Sequence, residues 1–231
     1  MNGPRRDTLD GVPRRDAGVS LVEILVAIGL FSVLGTLLLG VALSTAKVTD
    51  NTRQVANIGE ESRAGMERMT RELRQTAKLT SVHLPAATND STQFTLWADF
   101  NGNKCIDARG VDPEQLTYVW NPVTKRLTLT ATVLTDTYTE RLLAATVSSF
   151  TLGLNSSAWQ YDKDQDGVTT WQEVNASSIG DGNATNFSDA ELERIDLIQL
   201  DLTATDGTHS FRYRTRVNLR NQNQDVEIRL C

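Results

Sequence analysis

Two stretches of this 231-residue sequence place oxygen-bearing side chains as though for chemistry. The first is "DKDQDGVTTWQE", residues 162–173, which fits the pattern D-x-[DN]-x-[DN]-G-x5-E at every specified place. Asp162, Asp164 and Asp166 would project oxygens inward on alternate residues, Gly167 permits a sharp bend, and Val168 offers its carbonyl. Thr170 acts directly or through water, and Glu173 closes the shell with two oxygens. A hard cation of calcium size takes about six to eight such ligands, and an extracellular loop of this kind works at about 10⁻⁴–10⁻³ M. The rival reading is a solvated acidic turn. Thr169 stands where an aliphatic residue is usual and no strong helix precedes Tyr161, so the expectation is an isolated loop binding structural Ca2+ rather than half of a pair. A fainter echo, Asp99, Asn101, Asn103 and Asp107, has Lys104 at the glycine place and Gly110 at the closing-acid place, and an Asx-rich turn explains it better.

The second stretch is "DAGVSLVEILVAIGLFSVLGTLLLGVALSTAK", residues 16–47, where Glu23 is the one charge between Asp16 and Lys47. As a helix, residues 19–46 would extend about 42 Å, enough to cross a hydrocarbon core of about 30 Å. Apolar residues occur on every side from Ile24 to Leu43, which disfavours a core helix buried on one stripe. Arg5, Arg6, Arg14 and Arg15 precede the run and no basic excess follows it, so the expected topology is a single pass through the cytoplasmic membrane with the N-terminus in the cytoplasm. A cleaved secretory signal shares this charge pattern, with Ala42 and Ser44 as a weak cleavage match, but its apolar core would be about 7–15 residues long. A charge inside the apolar layer costs a few kcal/mol and calls for a partner.

The residues "GVSLVEILVAIGLF", Gly18 to Phe31, resemble the processing site of type IV pilins and type II secretion pseudopilins. The elements of that resemblance are a basic leader, a glycine, a hydrophobic first mature residue and a glutamate at a fixed offset ahead of a long apolar run. It implies that a prepilin peptidase cuts between Gly18 and Val19 and methylates the new amine of Val19. Val19 replaces the usual phenylalanine. The resemblance also implies a role for Glu23 in assembly, meeting the terminal amine of a neighbouring subunit; otherwise it stays solvated near the headgroups before assembly. The implied partners are the peptidase, other pilin or pseudopilin subunits and an inner-membrane assembly platform. Some pseudopilins are stabilised by calcium, in keeping with the loop at 162–173.

Beyond the membrane, Val55, Ile58, Ser62, Met66, Met69, Leu73 and Ala77 recur at helical steps among charged neighbours. Residues 47–79 therefore read as an amphipathic helix that a sheet must cover, a free coiled coil being the rival. The remainder, 80–231, reads as an extracytoplasmic β head. "FTLWADF" (94–100), "QLTYVW" (115–120) and "RLTLTATVL" (126–134) alternate, with Asn121 and Pro122 at a turn. Residues 141–154 are ambiguous at their start and strand-like at their end. "RIDLIQLDLTAT" (194–205) and "SFRYRTRVNLR" (210–220) flank Asp206-Gly207, a dipeptide suited to a turn with two positive φ values. On the second strand, Phe211, Tyr213, Thr215, Val217 and Leu219 share one face. Arg212, Arg214, Arg216 and Arg220 take the other, open to solvent or to an acidic neighbour. The fold class is α+β, a long N-terminal helix on an antiparallel sheet, as in the pilins that the N-terminus resembles.

Composition limits the alternatives. A net charge of −6 offers no basic footprint for nucleic acid. Cys105 and Cys231 fit no metal or redox spacing; in an exported head they form a disulfide or are unrelated thiols. Only His83 and His209 could serve as imidazole bases, His209 in an expected solvated turn, and the sequence lacks HExxH, GxSxG and GxxxxGK[ST]. The Asn-x-Ser triplets at Asn155 and Asn175 would be glycan acceptors only in a host with that machinery, and the processing motif points to a prokaryote. The leading expectation is a minor pilin or pseudopilin, not an enzyme, in a pilus-like filament or pseudopilus and fitted by its head to the tip. The alternative is a membrane-anchored extracytoplasmic calcium-binding or receptor domain outside any filament.

Overall fold

The computed structural model describes residues 19–100, 105–106, 114–133, 136–219 and 229–230. Gly18 and Cys231 lie outside them, as do most of the weaker acidic motif and Arg220. The chain divides into two compact units, Met1–Asn51 and Thr52–Cys231.

Helix α1 spans Leu21–Gln75. Ser20 opens it: the Val22 N–H donates to Ser20 Oγ at 3.3 Å, and the Glu23 and Ile24 N–H groups donate to its carbonyl. No proline interrupts the helix. In the first unit its apolar side chains are exposed all round, and α1 is the one described helix long and apolar enough to cross a membrane. Hydroxyls in this part bond back to the helix itself: Ser32 to Ile28 O, Thr36 to Val33 O and Thr45 to Val41 O, at 2.8–2.9 Å. Hydrocarbon could not satisfy these hydroxyls; the backbone does.

In the second unit α1 becomes one-sided. Ile58, Ser62, Met66, Met69 and Leu73 are buried as the spacing requires, with Gly59 and Gly65 beside them. A Cβ on Gly65 would come within 3.1 Å of the Leu142 carbonyl oxygen, a tight approach that glycine relieves. Val55 is more exposed, and Ala77 is not helical at all. The helix ends at Gln75 rather than near residue 79, and Thr76–His83 forms β1. Two register shifts in its pairing turn Thr76, Leu79 and Val82 inward at steps of three. A bulged strand thereby imitates helical spacing, so periodicity alone misplaces the boundary.

Among the described residues the head holds two antiparallel sheets rather than one. The larger joins β1, β2 (Thr92–Ala98), β4 (Gln115–Asn121), β5 (Arg126–Val133) and β6 (Asp136–Arg141) in the order β1-β2-β4-β5-β6. The smaller has the order β10-β9-β7-β8, from β7 (Thr146–Ser156), β8 (Thr169–Thr170), β9 (Leu197–Thr205) and β10 (Ser210–Asn218). Short helices α2 (Trp171–Asn175) and α3 (Asp189–Leu192) lie between β8 and β9. β3 (Cys105–Ile106) pairs in parallel with β11 (Arg229–Leu230), Arg229 opposite Cys105. The buried face of α1 and the inward residues of both large sheets form one core, including Leu96, Leu127, Phe150 and Leu200.

Polar ties fix the helix to the sheets. Tyr118 donates to Glu72, which also accepts from Arg68, and Arg68 reaches Glu140 on β6 at 2.6 Å. Burial, then the adjacent Glu72 carboxylate, pushes the Tyr118 hydroxyl well above its ordinary pKa. Glu61 accepts from the Ala144 and Ala145 N–H groups.

The β9–β10 hairpin differs in its turn. Only Gly207 has positive φ, +99°; the loop is Asp206–His209, and Asp206 Oδ1 accepts from the Thr208 and His209 N–H groups at 2.8 and 2.7 Å. Those bonds, His209's first, hold the Asp206 carboxyl down at about 2. His209 is tucked against Asp206 rather than freely solvated. The arginine face is also engaged: Arg212 and Arg214 both grip Asp201.

Candidate functional site

The N-terminal constellation is compact in sequence and in space. Val19 and Ser20 precede the helix, Ser20 caps it, and Glu23 occupies its first turn. Ser20 and Glu23 stand at the S-x-x-E spacing of a capping box, a helix-start signal that the apolar pattern had overshadowed. An acid there meets the positive end of the helix dipole, so the position suits a carboxylate before any neighbour arrives. The Glu23 side chain is exposed, and no cation lies against it among the described residues.

Residues 13–39 match the family described as the prokaryotic N-terminal methylation motif. The chain carries a pilin-type methylation motif. Its span takes in Gly18, Val19 and Glu23, and it indicates a pilin-like substrate of a prepilin peptidase, with an apolar helix consistent with membrane anchoring. The fold is α+β and consistent with that of pilins. No curated protein and no solved structure matches the chain.

The acidic loop lies between a 3-10 turn, Trp159–Tyr161, and α2. Carboxylate oxygens of Asp162, Asp164 and Asp166 all come within 4.8 Å of one another. The turn is held by its own backbone: the Gly167 N–H donates to Asp162 Oδ2 at 3.0 Å, Asp166 N–H to Asp164 Oδ1 at 3.2 Å, and Val168 N–H to Asp166 Oδ1 at 2.7 Å. Gly167 has φ +85°, the bend that its place in the pattern requires. The Asp164 carboxyl is raised from its ordinary value. Its bond from Asp166 N–H pulls downward, and desolvation with the facing Asp166 and Glu173 carboxylates outweighs it.

Glu173 has a second task. Its Oε2 accepts from Thr170 N–H and Oγ1 at 2.8 and 2.9 Å, and its Oε1 from Lys163 N–H at 2.9 Å. These bonds, Thr170's first, hold its carboxyl below the ordinary value. The ninth and twelfth loop positions are thus also the N-cap and third residue of α2, a T-x-x-E box readable in the sequence once the helix is known. Thr169, the unusual eighth residue, is buried and pairs with Ser156 of β7. One strand of the head therefore occupies the place that a partner loop would fill.

Whether the donors fit a cation turns on one atom. Asp162 Oδ1 is buried and has no hydrogen-bond donor. An acceptor in that state is costly unless something positive completes it, and the three clustered carboxylates are oxygen donors of the kind that a hard cation takes.

Proposed function

We propose that this chain is a minor pilin or pseudopilin, a structural subunit and not an enzyme. Cleavage between Gly18 and Val19 frees an amine, which is methylated in place. The mature subunit then holds two opposite charges in one apolar layer, the Val19 ammonium and the Glu23 carboxylate, each costly there without a partner. When subunits associate, Glu23 of one meets the Val19 ammonium of the next, which fixes their register. The four arginines of the leader hold the N-terminus in the cytoplasm, and the head is exported. The head of two sheets stands at or near the tip of a pilus-like or secretion-type filament on an inner-membrane platform.

The observation that carries this reading is the lone carboxylate of Glu23. Its polar neighbours along the helix are satisfied internally, whereas a carboxylate can only accept and finds no cation in its own chain among the described residues. Mass spectrometry of the mature product from its native host tests it. N-methylated Val19 is the expected first residue. An intact Met1 would point to an uncut anchored receptor, and a start near Lys47 to an exported soluble protein.

The loop supports a structural Ca2+ site through Asp162, Asp164, Asp166, the Val168 carbonyl, Thr170 and Glu173. Bound calcium would neutralise the clustered carboxylates and hold α2 against β7. Asp164→Asn keeps the acceptor for Asp166 N–H and removes a charge. Calorimetric titration of the full chain in detergent should give heat at about millimolar Ca2+ that this variant weakens, and identical titrations would retire the site.

A further inference from the structure

The last turns of α1 and the edge of the smaller sheet enclose a groove of about 470 Å³. Glu67, Thr70, Arg71 and Arg74 line its helix side, and Tyr213 and Thr215 of β10 line the other. Three independent features coincide there. Thr70 is 8% exposed, yet its hydroxyl has no hydrogen-bond partner, although four other hydroxyls of the same helix, from Ser32 to Thr49, bond back to a carbonyl. Arg71 and Arg74 are one turn apart and form no ion pair with described residues, whereas Arg68, a turn earlier, is tied to Glu72 and Glu140. β10, finally, is paired only with β9 among the described residues, and no described strand lies along its other edge.

The charge of the groove runs against that of the chain. Two free guanidiniums face one acid, Glu67, in a protein of net charge −6. A strand laid beside β10 would turn alternate side chains toward the helix and the others along the outer row of Arg212, Arg214 and Arg216. Acidic side chains suit both rows, although Arg212 and Arg214 already share Asp201. A guanidinium pair accepts a carboxylate in forked geometry, and an adjacent hydroxyl can donate to the same group.

We propose that this groove receives an extended acidic segment of another polypeptide, which adds to β10 as a strand and sets a carboxylate against Arg71, Arg74 and the Thr70 hydroxyl. The open edge supplies backbone hydrogen bonds, and the arginines select sequence. The site lies wholly in the head and does not depend on the processing of Val19.

The test uses the full chain in detergent micelles and a labelled, end-capped seven-residue peptide alternating glutamate with valine. Three companion peptides carry lysine for glutamate, or N-methyl groups on alternate amides in one or the other register. The glutamate peptide should bind about tenfold or more tightly than the lysine peptide, and amide exchange across residues 210–218 should slow when it binds. N-methylation in one of the two registers should abolish binding. Arg71→Glu with Arg74→Glu should reverse the preference, and Thr70→Val should weaken the glutamate peptide severalfold. Equal binding of both charges, no protection of β10, or no glutamate-peptide binding up to about 1 mM would overturn the proposal. Self-association through β10 without peptide binding would overturn it as well. If the charge-reversed variant fails to fold, the N-methyl series on the wild-type chain still decides.

Discussion

Helix α1 answers to two solvents. In its first turns every face is apolar and exposed, hydroxyls return their hydrogen bonds to the backbone, and the single acid has no counter-charge. From Ile58 onward one face is buried, while its charged residues reach out to the sheets through Glu61, Arg68 and Glu72. The buried hydroxyls of Ser62 and Thr70 there lack partners, the reverse of the apolar half. Regular helix geometry is common to both, so the difference comes from side chains alone. The first half is lipid-compatible on every face, and the second is covered on one face by its own chain.

The sharpest way to break this contrast is to remove the lone acid. Glu23→Ala should leave peptidase cleavage intact, since the glycine site is untouched, and should nearly abolish incorporation into filaments. Immunoblots for the processed size and for sheared filaments read the two effects separately, and normal incorporation would defeat the pairing of charges. Next in size is the truncation of one leucine in each half. Leu73 is fully buried, and Leu73→Ala should cost the head about 2–5 kcal/mol by chemical unfolding in detergent. Leu37→Ala, at an exposed apolar position, should leave the same transition within about 0.5 kcal/mol. Equal losses would mean that the two halves do not answer to separate environments.

Much of this contrast was legible in the sequence, because apolar residues on every face and apolar residues on one face are different periodic patterns. β2, β4, β5, β9 and β10 were legible for a similar reason: alternation survives where a strand is regular. β1 was not, since its bulges copy a helical step, and the division into two sheets leaves no trace in any single strand's pattern. The arginine face looked free because a strand read alone has no register. Once the hairpin pairs Thr205 with Ser210, Asp201 falls opposite Arg214 and captures Arg212 as well. The acidic loop is readable residue by residue, yet the capping role of Glu173 is not, because it depends on a helix only five residues long.

The acidic loop sharpens the comparison within the head itself, since backbone N–H bonds to its own carboxylates hold it rather than core packing. At about ten times its dissociation constant, Ca2+ should stabilise the head by about 1.4 kcal/mol. A chelator should therefore lower the melting temperature by about 3–5 °C, and the Asp164→Asn chain should lose most of that response. The expected loss is smaller than that of Leu73→Ala because the hydrophobic core holds the head without the ion. A chelator effect of the same size on the variant would break the link to this loop.

The smallest expected effect concerns a clasp remote from α1. The ring of His83, at the end of β1, lies between two acceptors, with Nδ1 2.9 Å from Asn186 Oδ1 and Nε2 3.1 Å from Asp90 Oδ2. Satisfying both requires the imidazolium. The bond to Asn186 raises the His83 pKa most, with Asp90 adding to it against some desolvation. A raised folded-state value means that the contribution is complete below the unfolded pKa of about 6.5 and is lost as pH climbs through the folded value. Asp90 is shifted downward, chiefly by the Ala86 N–H bond, so its share persists until pH falls through its own lowered value. The melting temperature should thus decline by about 1–2 °C between pH 6 and pH 8.5, the modest size expected of a partly exposed pair. His83→Gln should flatten that decline, and exchange of the Leu84 amide, which donates to Thr185 O at 2.8 Å, should report the same loosening. Parallel pH profiles for the two chains would show that the clasp contributes nothing, leaving core burial and the charges around α1 to account for the head's stability.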